Sequence, residues 1–469
     1  MLSRYIRDSV FERTDVRWTL ADAVSRALAL NTGLQRGERV LRLEVPAGDL
    51  DPLRWLGAQT MRPRSFWSGR EDEISVAAVG VADVVEGERP ADVDELTDRL
   101  ALLSPEAANA RYYGGLSFDA GSEVSEEWQV FGARRFVLPR FELRRRDGVS
   151  TLACNLVLPR DLEKAGDLLY EIENLPLKGP RLAGSLPAPV SRADSPDREG
   201  WRENIESALA AFAAGRMDKV VLARRAEFAF EEDVDAVALV ASLREATPGC
   251  FHFLVEPEGG AAFVGASPER LFRREGRGIT SEAVAGTRPR GASVADDDEL
   301  RDELLRSVKD QAEHSYVRIS IEETLGPLCA ELEIEDHPSE MKLARGRHLV
   351  SKIRGTLREG VTDAEVLAKL HPTPAVGGYP KNVALEEIRK LEPFDRGWYA
   401  GAIGWIGADG AEFAVGIRSG LVRGSRVSLY SGAGAVAGST PEGEWAEIEQ
   451  KIGDFTRVFG LDPEEHAAP

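Results

Sequence analysis

Near the C-terminal end, three apolar runs at residues 402–406, 413–418 and 426–430 follow one another across turns such as Ala408-Asp-Gly410. A parallel strand pair needs a crossover of a dozen or more residues, so turns this short favour antiparallel pairing. Strand-like runs also occupy 40–45, 74–81, 136–143 and 219–230, and a hairpin is expected at 251–255 and 262–265 around Glu258-Gly-Gly260. Helical patterns at 19–30, 162–172, 201–214 and 297–325 are interspersed among them. The chain therefore reads as α+β, with packed, largely antiparallel sheets flanked by helices. Residues 179–200, rich in Pro, Gly, Ser and Ala, read as a linker. It divides an N-terminal part, 1–190, from a region at 200–460 that holds most of the suggestive motifs, with a tail at 461–469.

A formal charge of −20 excludes nucleic acid and anionic membrane as natural partners, so an anionic substrate would need a local cationic site. Neither a signal sequence nor an apolar run of bilayer length is evident, since Arg4, Arg7, Asp8, Glu12 and Arg13 interrupt the first residues. Cys154, Cys250 and Cys329 are far apart and fit no metal spacing, which points to a reducing cytoplasm. Of the 59 basic residues only 10 are lysines. A lysine at a buried-looking position in so arginine-rich a chain invites a chemical reason.

Residues 439–451 (STPEGEWAEIEQK) carry such a pattern. Thr440-Pro441 reads as helix N-cap and first helical position. Glu444, Glu447 and Lys451 then share one helical face. Before them, Gly432 and Gly434 read as a glycine loop where backbone can approach a ligand. Taken alone, Glu447 and Lys451 are an ordinary surface pair. With Glu313, on the shoulder of the 297–325 stripe, the two glutamates can instead supply oxygen ligands to Mg²⁺. Lys219 opens a strand; arginine cannot serve as a base, whereas a partly buried lysine can. Glu269 follows a strand in GASPE, and a carboxyl there, raised in pKa by burial, can donate a proton. Arg418 ends the strand EFAVGIR as a carboxylate clamp. Residues 281–287 read as a strand-to-turn exit, 371–380 as a shaped loop, and Gly114-Gly115 as a bulge or a close backbone crossing.

In order, KVVLAR (219–224), GASPERL (265–271), AVAGTRPRG (283–291), KDQAEH (309–314), LHPTPAVGGYP (370–380), LEPFDRGWYAGAIGW (391–405), IRSG (417–420) and the segment 431–451 resemble the chorismate-utilising enzymes. That family includes anthranilate synthase component I and the aminodeoxychorismate, isochorismate and salicylate synthases. YYGGLSFD (112–119) resembles the menaquinone-type isochorismate synthases. The resemblance implies the anthranilate synthase component I-like fold, with residues 1–190 interleaved into it. Members that add water at C2 of chorismate carry the lysine matching Lys219, and ammonia-adding members lack it. Aminodeoxychorismate synthases have a lysine where Ala285 stands, and the loop with Ala375 is closer to isochorismate than to salicylate synthases. The implied activity is that of an isochorismate synthase. The alternatives are salicylate synthase, a siderophore-pathway enzyme, anthranilate synthase and a non-catalytic chorismate-binding regulator.

By the same resemblance, Lys219 would activate water and Glu269 would protonate the departing C4 hydroxyl. Glu313 and Glu447 would bind Mg²⁺, with Glu444 beside them directly or through water. Arg418, Lys451 and the backbone of Gly432 and Gly434 would hold anionic oxygens, while Tyr399, Gly286, Thr287, His348 and Ala375 would line the pocket. Such an enzyme needs no amidotransferase subunit and is expected as a monomer or weak homodimer.

Overall fold

The computed structural model describes residues 15–33, 37–71, 74–89, 94–104, 107–119, 121, 124–179, 182 and 186–461. Their strands form two sheets of twelve and ten strands, in which every strand-to-strand pairing is antiparallel. Alternation of side chains along the larger sheet explains the layering. In the strand Ala261–Ser267, Ala261 and Phe263 enter a core shared with Phe136, Phe272 and Phe413 of the smaller sheet. Ala262, Val264 and Ala266 point the other way, into a core closed by Leu20 and Val24 of helix Val16–Leu30 and by Val237 and Val240 of helix Ala236–Ala246. Burial of each Val, Leu or Phe side chain among them contributes about 1.5–3 kcal/mol, so both faces of the larger sheet are anchored.

Strands from both sides of residue 190 meet in each sheet. Arg64–Ser68 pairs with Phe251–Glu256 in the larger, and Arg111–Leu116 with Ala402–Gly407 in the smaller. The paired glycines of YYGGLSFD are explained by a close crossing, because a Cβ on Gly114 would lie 1.8 Å from the carbonyl oxygen of Arg135. The hairpin around Glu258-Gly-Gly260 forms as its sequence indicates. No helix among the described residues is long and apolar enough to cross a membrane, and the three cysteines are buried and unpaired.

Three local expectations are corrected. Within the 179–200 linker, Ser191–Ser195 is a strand paired with residues 225–229; residues 180–181 and 183–185 lie outside the described set. The run 136–143 divides into Arg134–Leu138 in the smaller sheet and Phe141–Arg146 in the larger. Pro139, which has no N–H to give a ladder, stands at the change of sheet, and hydrophobicity alone does not reveal such a switch. The long helix at 297–325 is two, Val294–Arg306 and Val308–Leu325. Ser307 turns extended at ψ 115° and its hydroxyl accepts from the Asp310 N–H at 3.2 Å, capping the second helix. The 461–469 tail lies outside the described residues beyond Leu461.

Candidate active site

The chain changes sheets twice at one place. From Ala261–Ser267 in the larger sheet it crosses through Pro268-Glu269 to Arg270–Glu275 in the smaller. From Gly410–Val415 in the smaller it returns through residues 416–418 to Ser419–Arg423 in the larger. Backbone bonds join the crossings: Val415 N–H donates to the Glu269 carbonyl at 3.0 Å, and Ala266 N–H to that of Arg418 at 2.9 Å. Arg418 thus lies beyond the strand it was expected to end, in a left-handed conformation at φ 48°.

A cavity of about 70 Å³ opens at these crossings. Glu269, Arg418, Tyr399 and Ala375 line it. The strand Gly278–Pro289 contributes Gly286 and Thr287, and Gly346–Leu357 contributes His348. The segment 281–287 is therefore interior to a strand, where a bulge at Gly286, φ 69°, turns Thr287 opposite His348. Gly432 and Gly434 also line the cavity, but from the strand Arg426–Val436 and not from a loop; the glycines preserve a ladder that the sequence pattern concealed. Glu313 comes from helix Val308–Leu325, and Glu447 and Lys451 from helix Pro441–Val458. That last helix starts as anticipated, with Thr440 Oγ1 accepting from Gly443 N–H at 3.2 Å. Lys219 and Glu444 complete the set through ion pairs instead of by lining the cavity.

Each of the three expected metal-ligating carboxylates has its own lysine. Lys219 Nζ lies 3.1 Å from Glu313 Oε1, Lys309 Nζ 2.6 Å from Glu444 Oε1, and Lys451 Nζ 2.7 Å from Glu447 Oε1. Lys219 is fully buried and its ammonium makes no hydrogen bond, because the contact to Glu313 lacks hydrogen-bond alignment. Lys451 also donates to the Gly432 carbonyl at 2.8 Å, so the surface pair and the cavity-facing residue are one and the same. Among the described residues no three His, Cys, Asp or Glu side chains stand close enough together to hold a metal ion as they are. Glu444 nevertheless keeps Oε2 buried without a partner, and an all-carboxylate set suits a hard cation.

The titratable groups are pushed apart. Burial drives the Glu269 carboxyl up to about 8, opposed only in part by Lys219. Burial also raises Glu444, whereas Lys451 outweighs burial at Glu447 and lowers it. His348 is held neutral, its value pushed down to about 3 by burial and the nearby Arg418. Its Nδ1 lies 3.0 Å from the Gly286 carbonyl, which fixes the proton there and leaves the buried, unpartnered Nε2 as an acceptor.

A buried carboxyl and an arginine thus line one cavity, with a buried lysine beside it. The profile described as "Chorismate binding enzyme" matches residues 26–460. The chain belongs to this family. It is 35% identical over 451 residues to isochorismate synthase 2, chloroplastic, of Arabidopsis thaliana, covering 89% of this chain and 80% of that one. The solved structure of MenF, the menaquinone-specific isochorismate synthase of Escherichia coli, superposes at TM-score 0.80 with 31% identity, over 94% of this chain and all of that one. Anthranilate synthase component I of Streptococcus pneumoniae, 20% identical, superposes at 0.65 over 92% of this chain and 97% of that one, a likeness of fold.

In this chorismate-binding enzyme, sequence reasoning passed over Lys309 and two buried hydroxyls. Tyr430 and Ser431 are among the residues of the cavity wall, and their buried side-chain oxygens have no protein partner. The signal was available: in a strand, Tyr430, Gly432 and Gly434 share a face. Tyr430 stacks on Tyr399 at 5.2 Å, which fixes both rings. Gly434 has a steric role, since a Cβ there would fall 2.1 Å from Glu313 Oε1 and 3.3 Å from Lys219 Cε. Gly434→Ala is expected to displace the flexible Glu313 carboxylate and leave the ladder intact. Misplacement on that scale costs on the order of 10²-fold in rate. Turnover assays beside thermal melting check this: near-normal rate in the variant would show that the Glu313 position is immaterial.

Proposed function

We propose that this chain is a Mg²⁺-dependent isochorismate synthase, converting chorismate reversibly to isochorismate for menaquinone biosynthesis in the cytoplasm. The observation that carries the reading is the burial of both Lys219 and Glu269 at one site, where burial pushes the Glu269 carboxyl up to about 8 and so favours its protonated form. Lys219, as the free amine left once it has shed its own proton, takes a proton from the water that attacks C2 and becomes an ammonium. Glu269 gives its proton to the C4 hydroxyl, which departs as water while the ring double bonds shift. One proton is taken and one given, so the reaction is an isomerisation that runs either way. Arg418 and Lys451 bind the carboxylates of the substrate, and neutral His348 offers Nε2 to a substrate hydroxyl. Glu313 and Glu447, with Glu444, would hold Mg²⁺, which when bound supplies charge stabilisation to the ring carboxylate. The activities named for the Arabidopsis and Escherichia coli relatives support the same reading. The menaquinone role follows the Escherichia coli name, and the unpaired cysteines suit a reducing compartment. Water addition requires no ammonia-supplying subunit.

Incubation of the purified protein with chorismate and Mg²⁺ tests this by product identity. Isochorismate alone is expected; salicylate with pyruvate, or anthranilate when ammonium is added, would replace the reading. Complementation of a menaquinone-requiring strain that lacks isochorismate synthase tests the pathway. Glu447→Gln should raise the Mg²⁺ concentration for half-maximal rate about tenfold or more, and an unchanged titration would remove Glu447 from the metal set.

A further inference from the structure

Beside the active-site cavity lies a larger one, about 300 Å³, between helix Pro441–Val458, Thr247-Pro248 and residues 343–346. Arg418 belongs to the walls of both. Its Nη1 lies 3.2 Å from Asp454 Oδ2, while Asp454 Oδ1 faces Arg345 Nη1 at 3.6 Å. That Arg345 nitrogen is buried and makes no hydrogen bond. With Arg192 and Arg457, four guanidiniums line this outer chamber against two carboxylates, Glu449 and Asp454, in a protein of charge −20. A dianion approaching such a protein is repelled everywhere except where the local field is reversed.

We infer that the outer chamber is a docking site for the dianionic ring substrate on its way in. Arg345 receives the first carboxylate, and Asp454 is a positioning residue that holds Arg418 at the boundary until a substrate carboxylate takes its place. The inference rests on the proposed chorismate reaction for its ligand, yet it concerns how the ligand arrives and not how it reacts. Asp454 lies one helical turn beyond Lys451, so the same helix carries cations and their counter-charge through both cavities.

Stopped-flow binding of chorismate, alongside steady-state turnover, tests it with three variants. Arg345→Gln should slow association roughly tenfold, flatten its dependence on ionic strength and leave kcat unchanged. Ala344→Phe, at an exposed residue of the chamber wall, should slow association and dissociation alike, as an obstruction does. Asp454→Ala should raise KM several-fold with kcat little altered, and Asp454→Asn, which can still accept from Arg418, should restore most of the loss. Association rates within twofold of wild type in both Arg345→Gln and Ala344→Phe would overturn the docking role, as would a fall confined to kcat. Failure of the wild-type protein to turn over chorismate would instead strike the proposed reaction, and is read from the product assay alone.

Discussion

Lys219→Ala is expected to lower the rate of water addition by about 10²–10⁴-fold, the range that a positioned proton-transfer group supplies. The fold should survive. Lys219 is fully buried, and alanine removes a cation whose desolvation is costly while leaving Glu313 at the edge of the cavity, still partly exposed. Lys219→Arg separates the two jobs a lysine can do there. It keeps the positive charge beside Glu313 but cannot lose a proton, so a base is lost while a counter-charge is retained. Both variants should be similarly inactive, with far-ultraviolet circular dichroism and melting close to wild type. Substantial activity in Lys219→Arg would make the residue a counter-ion only, and wild-type rates in Lys219→Ala would remove it from the chemistry.

Glu269→Gln should likewise remove about 10²–10⁴ in rate, because an amide cannot deliver a proton. It should also change stability, in a direction opposite to the usual loss of a carboxylate. Burial raises the folded-state value of Glu269 from 4.5 to about 8. The protonated form therefore contributes stability that is whole below about pH 4.5 and is lost as pH rises towards 8, at up to about 1.4 kcal/mol per pH unit. Glutamine carries no such penalty. The variant should gain on wild type as pH rises through that window, by a few kcal/mol in order of magnitude at pH 8.5, and the difference should then level off. Denaturant unfolding at pH 6 and 8.5 reads this directly. Equal differences at both values would mean that Glu269 is ionised throughout and cannot be the acid. In wild type, kcat should fall above about pH 8 as the acid loses its proton.

Much of this was legible in the residues themselves. The short turns fixed antiparallel pairing, and helix Pro441–Val458 could be placed from Thr440-Pro441 and the spacing of Glu444, Glu447 and Lys451. Twelve of the fourteen residues singled out line one cavity, five of them (Ala375, Tyr399, Gly286, Thr287 and His348) named through the family resemblance alone. What escaped was of two physical kinds. Changes of sheet at residues 139–140, 268–269 and 416–418 escaped because the residues of a strand do not say which of two sheets it will pair in, and that is decided by partners far along the chain. Charges whose partners lie far along the chain escaped too: Lys309 on Glu444 and Asp454 on Arg418 are pairs that only the fold brings together.

The two crossings have one more consequence. Glu269 stands on the outbound strand connection and Arg418 on the return, so each reactive group is borne by a peptide link between the same two layers. A molecule gripped by both therefore acts as a rivet through the sandwich. Sliding of one sheet over the other would separate Glu269 from Arg418, and a ligand bound to both would resist that shear where the two crossings meet.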